Sequence, residues 1–396
     1  MSETIYSRVE NGLDRIRCEG HLRSIPDIDH GNDLYLMHKG KRHKGKRLLN
    51  LASNNYLGLA GSESLKQAAM RAVETFGVSS GASRLITGNY ALYDELEQYL
   101  CSFKKTPAAL VMNSGYAANL GIISSLADRK TLVFSDRLNH ASIIDGIILS
   151  RAGHIRYRHS DPEHLEFLLQ KAPEQAQKIL ITDTVFSMDG DRAALPELVL
   201  LCKKHKVAII IDEAHATGLL GLGKGLAAEL GLDQDIDVQM GTFSKALGSF
   251  GGYVAGSREL IDLLTNRARS FIYSTALPPA VVGANLEALR QVEAHPEKGK
   301  KLQFMAGDIR RYLNSLGYNT GSSTTQIIPV ILGESRKTMQ FQEKLKELGI
   351  YAGAVRPPTV ARNSARLRLC LRADMDDPEI ELIKNAFKEL DISQEK

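Results

Sequence analysis

Five short apolar runs in the sequence end in side chains able to do chemistry. The stretch 236–252 carries Lys245 among small and polar residues, followed by Gly248, Gly251 and Gly252. Lysine is almost never fully buried without a partner. Once a site desolvates it, its pKa falls and the neutral amine can form a Schiff base. Thr242 and Ser244 flank it with hydroxyls that could hold an anion. The run 207–211 leads into Asp212-Glu213-Ala214-His215. An acid at a buried strand end needs a cationic partner, or it stays neutral. The run 178–185 leads into Phe186-Ser187-Met188-Asp189-Gly190-Asp191, where Ser187 is placed to hydrogen-bond a ligand and the last three residues read as a turn. The run 131–135 leads to His140, which could stack on a flat ring or donate a proton. The run 108–113 leads into Asn113-Ser114-Gly115-Tyr116, a loop opening a helix whose free N–H groups suit phosphate.

Each feature has a plainer reading when taken alone: a surface lysine in a glycine-rich loop, a structural histidine, an ordinary helix cap. Together they match the needs of pyridoxal phosphate. That cofactor takes a lysine for its Schiff base and an acid facing its pyridinium nitrogen. Donors near the phenolic oxygen and the phosphate fix its pose. A competing pattern fails. Asp212-Glu213-Ala214-His215 spells a helicase box and Gly218 to Lys224 spells G-x-x-x-x-G-K, but Gly225 stands where a phosphate loop needs Ser or Thr. The lysine also follows the acid, whereas a phosphate loop comes first, after its own strand.

The elements that must position these residues read as α/β. Strand candidates at 108–113, 131–135, 178–185, 207–212, 236–241 and 251–256 are rich in Val, Ile and Leu without alternation. That suits strands buried on both faces of a mainly parallel sheet. Ahead of them, 1–25 reads as an amphipathic helix with Ile5, Val9, Leu13 and Ile16 on one face. Residues 33–51 read as a hairpin around a basic turn (Lys39, Lys41, Arg42, Lys44, Lys46, Arg47), and helices are expected at 62–76 and 90–103. The turn reads as a solvated loop face; the sharper option is a landing site for an acidic carrier protein or a phosphate-bearing thioester. Near 285 the texture becomes helix-rich and charged, and 366–371 alternates as a half-exposed strand would. The expected division is an N-terminal segment 1–50, a large domain 51–285 and a small α+β domain 286–396.

Composition bounds the partners. The 396 residues are 43% hydrophobic with a net charge of +4, too mild to argue for nucleic acid. Cys18, Cys101, Cys202 and Cys370 lie far apart, with no metal-like pairing or disulfide framework. No apolar run reaches membrane-spanning length and no signal-peptide core is present, so a cytoplasmic protein without metal is expected.

Five motifs carry a resemblance: Ser53-Asn54-Asn55-Tyr56-Leu57-Gly58-Leu59, Phe186–Asp191, Asp212–His215, Thr242-Phe243-Ser244-Lys245-Ala246-Leu247-Gly248 and Arg356-Pro357-Pro358-Thr359-Val360. With them the chain resembles the α-oxoamine synthases, a branch of the fold-type I pyridoxal-phosphate enzymes, from about Arg23 to about Leu371. The resemblance implies a large domain around a mainly parallel seven-stranded sheet. It implies an acyltransferase joining an amino acid to an acyl thioester on CoA or a carrier protein. Lys245 would carry the cofactor, Asp212 would face the pyridine nitrogen, His215 and Ser187 the phenolic oxygen, and His140 would stack on the ring. Gly115, Tyr116 and Thr242 would hold the phosphate. Ser274 and Thr275 would come from the neighbouring subunit of a homodimer. Arg356 would bind the amino-acid carboxylate, with Arg23, Asn54 and Thr359 by the substrates. Phe271–Pro279 and Arg356–Val360 look most like the branch that joins L-alanine to a pimeloyl thioester. The glycine C-acetyltransferases and serine palmitoyltransferases are similar. Thr182-Asp183-Thr184 departs from the family's frequent Thr-Glu-Gly, a change not expected to touch chemistry.

Overall fold

The structure is a computed structural model that describes residues 4–31, 33–39 and 45–390. Three strands lie in the N-terminal segment: β1 (Ile28–His30), β2 (Tyr35–His38) and β3 (Lys46–Leu51). Seven follow: β4 (Ala108–Met112), β5 (Thr131–Asp136), β6 (Gly153–Tyr157), β7 (Gln177–Asp183), β8 (Ala208–Asp212), β9 (Val238–Thr242) and β10 (Gly252–Gly256). Three more close the chain: β11 (Ile327–Gly333), β12 (Ile350–Val355) and β13 (Ala365–Cys370). The chain forms two compact units, one of Asn54–Phe304 with Arg372–Asp374, the other of Met1–Ser53, Met305–Leu371 and Met375–Lys396.

The larger unit holds a seven-stranded sheet in the order β4-β10-β9-β8-β7-β5-β6. Neighbours from β9 to β6 run parallel, and β10 runs antiparallel to both β9 and β4. Six of these strands were expected from their apolar runs; β6, with its interleaved His154 and Arg156, was not. The side chains of β4, β9 and β10 are buried throughout, as the continuous apolar runs require. Ala118, Ile122 and Ile123 of the helix Gly115–Leu126 pack with Val133, Ile181, Ile210, Met240 and Val254 in one cluster. Each such Ile or Val contributes roughly 1.5–3 kcal/mol on burial.

Because the strands are parallel, their carboxyl ends collect at one edge. Asp136, Asp183, Asp212 and Thr242 are the last residues of β5, β7, β8 and β9. Ligands of open α/β sheets bind beyond that edge. Gly252 opens β10 there. A Cβ on it would come within 2.7 Å of Gly115 N and of the Ser114 backbone, so only glycine lets the strand pass so close to the helix start. Behind the edge, Lys104 and Glu213 form a fully buried ion pair, and Lys104 also donates to Lys224 O. Burial opposes the Lys104 charge, but the Glu213 carboxylate more than offsets this and holds its pKa above the ordinary lysine value. Removing one partner of such a pair strands the other charge and costs about 3–5 kcal/mol.

The second unit holds a six-stranded sheet, β1-β2-β3-β12-β13-β11. β3 pairs in parallel with β12, Leu49 opposite Ile350, so the N-terminal hairpin and the C-terminal strands share one sheet. The expected separate segment 1–50 is therefore part of the same unit as the C-terminal strands. The expected boundary at 285 also moves. The helix Pro279–Ala294 packs on Glu63–Phe76, where a Cβ at Gly283 would meet Ala68 O at 2.8 Å, so it stays with the larger unit. β13 was expected to be half-exposed. It lies between β11 and β12 and is buried along its length, with Arg366 and Arg368 at 6% and 8% exposure. Its polar positions alternate, but both of its faces are covered.

The amphipathic helix expected over 1–25 is shorter: it runs Ile5–Cys18, capped by Thr4, with none of its residues buried, and residues 19–25 lie outside it. Ile5, Val9, Leu13 and Ile16 are each at least 39% exposed. Around the basic hairpin turn, Lys39 pairs with Asp29 at 2.8 Å and Arg47 lies 4.0 Å from the Tyr35 ring centre. Lys41, Arg42 and Lys44 lie outside the described residues.

Candidate active site

At the carboxyl edge of the larger sheet lies a cavity of about 220 Å³. Its walls include Gly115, Tyr116, His140, Asp212, Thr242, Ser244 and Lys245, seven residues that sequence reasoning singled out. Ser114, Asn119, Ser142, Asp183, Ala214 and Met240 complete them.

The helix Gly115–Leu126 opens into this cavity. Ser114 caps it, its Oγ accepting from Ala117 N at 3.0 Å. The internal ladder begins where Ala118 N donates to Ser114 O, so the N–H groups of Gly115 and Tyr116 precede it. Such N–H groups, with the positive end of the helix dipole, favour an anion. Thr242 faces the same region, its Oγ1 2.8 Å from Ser244 Oγ and donating to Gly251 O at 2.7 Å. The Tyr116 hydroxyl donates to Asp145.

Lys245 sits half-buried in the turn between β9 and β10. Phe243, Ala246 and Leu247 around it are buried and anchor the turn. Gly248, at φ 64°, closes it in the left-handed region, where a Cβ would also strike Ala60 N at 2.4 Å.

Asp212 is 3% exposed. Its Oδ1 accepts from Ala214 N at 2.9 Å and its Oδ2 from Asn119 Nδ2 at 2.8 Å. Asn119 Nδ2 also donates to Ser142 Oγ at 2.9 Å, while Asn119 Oδ1 is buried with no hydrogen-bond partner. His140 Nδ1 accepts from Ser142 N at 3.2 Å and lies 2.7 Å from Ser142 Oγ. An accepting Nδ1 leaves the ring proton of the neutral imidazole on Nε2. Desolvation lowers the His140 pKa below the ordinary histidine value; Asp212 opposes this and Lys245 reinforces it. The ring is therefore neutral at pH 7.

Asp183 lines the cavity, and its Oδ2 accepts from His140 N at 2.7 Å, so the Thr182–Thr184 departure lies at the site. Burial, with Asp212 adding, raises its pKa well above the usual carboxylate range. Asp183, Asn119 and Ser142 were missed as site residues. An acid closing an apolar strand was a usable signal for Asp183. Asn119 is one helical turn beyond Gly115, on the same face.

The remaining singled-out residues lie elsewhere. His215 is buried, its Nδ1 2.8 Å from the oxygen of the Tyr56 hydroxyl, whose proton is donated to Asn54 Oδ1 at 3.1 Å. Ser187 is half-buried in the turn after β7. Neither is among the cavity-lining residues. Ser274 and Thr275 do not line it either; Thr275 is exposed and its carbonyl accepts from Asn113 Nδ2 at 2.7 Å. In the second unit, Arg23 Nη2 donates to Thr359 Oγ1 at 2.8 Å. There Arg356 donates to Gly20 O and Leu22 O at 3.3 and 3.4 Å.

The residues present fit pyridoxal phosphate: one amine, a buried carboxylate held by two donors, an imidazole and a helix start converge on one cavity, where the buried amide oxygen of Asn119 has no partner. Comparisons with known proteins agree. Residues 46–387 match the family model described as aminotransferase class I and II. A Bacillus cereus protein with the provisional name 8-amino-7-oxononanoate synthase is 46% identical over 94% of this chain and 93% of its own. One of the same name from Bacillus anthracis is 47% identical over the same shares. Among solved structures, serine palmitoyltransferase from Sphingomonas wittichii superposes with a TM-score of 0.89 at 30% identity, covering 97% of this chain and 96% of that one. The 8-amino-7-oxononanoate synthase from Francisella tularensis gives 0.75 at 26% identity, covering 88% and 99%. With the motifs at Asp212 and Lys245 placed on one cavity and these relatives matched along nearly the whole chain, the protein belongs to the pyridoxal-phosphate-dependent α-oxoamine synthases of aminotransferase class I and II.

Proposed function

We propose that the protein condenses L-alanine with a pimeloyl thioester, releasing CO2 and free carrier to give 8-amino-7-oxononanoate, a step of biotin biosynthesis. The carrier is CoA or an acyl carrier protein. The observation that carries this reading is the near full-length identity to relatives of that provisional name. The Phe271–Pro279 and Arg356–Val360 stretches support it.

When bound, pyridoxal phosphate supplies an electron-withdrawing ring that stabilises negative charge at the amino-acid Cα. Lys245 would hold the cofactor through its amine and, as general base, take up the proton from the amino-acid Cα. Asp212, oriented by Asn119 and Ala214, would face the ring nitrogen and hold its proton there. His140 would lie against the ring and donate from Nε2 to the substrate carbonyl. The Gly115 and Tyr116 N–H groups and the Thr242 hydroxyl would hold the phosphate. Ser187 and His215 would face the phenolic oxygen. Arg356 grips the amino-acid carboxylate with its planar guanidinium. Arg23, Asn54 and Thr359 contact the substrates. Ser274 and Thr275 complete the site of a second copy, so the working unit is a cytoplasmic homodimer.

A second reading is favoured by the closer superposition on serine palmitoyltransferase: another acyl transfer of the same family, with serine or glycine as amino acid. The test is product formation from alanine, glycine and serine, each against acyl-CoAs of two to sixteen carbons. Pimeloyl-CoA with alanine is expected to exceed every other pair by about 100-fold or more in kcat/KM, the discrimination that a few well-placed contacts give. A preference for palmitoyl-CoA with serine, or acetyl-CoA with glycine, would replace this reading with the second.

A further inference from the structure

His159, outside the cavity, is held between two buried carboxylates. Its Nδ1 donates to Asp136 Oδ1 at 2.9 Å and its Nε2 to Asp191 Oδ2 at 2.7 Å. A neutral imidazole carries one N–H; two carboxylates at its two nitrogens call for both protons. Asp136 and Asp191 are 1% and 7% exposed, and the other oxygen of Asp191, Oδ1, is buried with no hydrogen-bond partner. The edge of the Phe186 ring meets the imidazole at 4.4 Å between centres, with planes at 89°.

The two acids belong to the two loops that carry His140 and Ser187. Asp136 ends β5, and its Oδ1 and Oδ2 also accept from Leu138 N at 2.8 Å and Ser160 N at 2.9 Å. Asn139 N donates to Asp136 O at 3.3 Å, one residue before His140. Asp191 closes the turn that holds Ser187: Phe186 N donates to Asp191 O at 3.0 Å and Gly190 N to Phe186 O at 2.8 Å. The ion pairs thus run across the carboxyl edge of the sheet from one loop to the other.

We infer that His159 is a positioning residue, which clasps the Phe186–Asp191 turn to the β5 loop and so fixes Ser187 and His140 relative to each other at the cofactor. The inference rests on the proposed placement of Ser187 at the phenolic oxygen. Burial alone would discharge the ring, but its bonds to Asp136 and Asp191 raise its pKa to about 10. The titratable groups facing it are those two acids; Tyr157 of β6 interacts with Asp136 alongside. With the folded pKa raised, the clasp is complete below the unfolded value near 6.5 and lost as pH rises through about 10.

The test uses full-length protein loaded with pyridoxal phosphate. His159→Gln keeps a donor and removes the charge; Asp191→Asn keeps an acceptor and removes the opposing charge, and serves if the first fails to fold. In either, amide exchange of a peptide spanning 184–193 should rise about tenfold, with the β7–β8 core unchanged. The visible absorbance of the bound cofactor should shift, and kcat should fall roughly tenfold with the amino-acid KM within about twofold, the signature of misplaced rather than missing groups. Ser187→Ala should shift the absorbance in the same way, and His159→Gln added to it should shift it no further. Unchanged exchange at 184–193 overturns the clasp. So does faster exchange with wild-type absorbance and kcat, when Ser187→Ala alters both. If Ser187→Ala itself leaves the absorbance unchanged, the placement of Ser187 fails, and the exchange data still decide the clasp.

Discussion

Lys245→Ala is expected to lower product formation by roughly 10⁴-fold or more, the loss that follows removal of a nucleophile acting as a unit with its neighbours. Lys245 is the one lysine among the cavity-lining residues, so no other side chain there can take over both anchoring and proton abstraction. The arrangement makes the loss chemical rather than structural. Lys245 is half-buried, and the packing of its turn comes from Phe243, Ala246 and Leu247. Thermal unfolding of the variant without cofactor should therefore match the wild type within a few degrees. Steady-state rates and melting curves on the same preparation check both parts; a variant within tenfold of wild type contradicts the assigned role.

Asp212→Asn should be the next most damaging change, lowering kcat by about 100- to 1,000-fold, as removal of one preorganised electrostatic contact does. The side chain keeps its size and can still accept from Ala214 N, but it loses the charge that answers the ring nitrogen. A second acid is close by, and it does not substitute. Burial raises the Asp183 pKa well above the usual carboxylate range, and its Oδ2 is engaged by His140 N. The surroundings of the two carboxylates differ: Asp212 accepts from Asn119 Nδ2 and Ala214 N, while burial raises the pKa of Asp183. Kinetics with saturating pyridoxal phosphate, with cofactor affinity measured separately, will show whether the loss falls on kcat.

The chemistry of the site was more legible in the sequence than its support. Lys245, Asp212, His140 and the Gly115 loop each follow an apolar run, and parallel strands bring their carboxyl ends to one edge, so placement follows from strand direction alone. Asn119 and Ser142 act by holding Asp212 and His140, and Tyr56 by its contact with His215. Their contacts join positions as far apart as Asn119 and Asp212, or Tyr56 and His215, which no local period encodes. The same holds for the fold. The helices at Glu63–Phe76 and Ala91–Lys104 and six strands of the larger sheet declare themselves locally. The pairing of β3 with β12 joins Leu49 to Ile350, so the link between the N-terminal hairpin and the C-terminal strands was invisible. β13 misled because alternation of Arg and Leu normally marks one wet face; between two strands and with both faces covered, its arginines are buried instead.

The most direct test of the central claim is chemical trapping of the cofactor on the protein. Full-length protein incubated with pyridoxal phosphate is reduced with borohydride, digested, and the modified peptide located by mass. The account predicts one phosphopyridoxyl group per chain, on Lys245, with about tenfold weaker labelling at any other lysine. Stoichiometric label on a different lysine, or none on Lys245 at saturating cofactor, would contradict it.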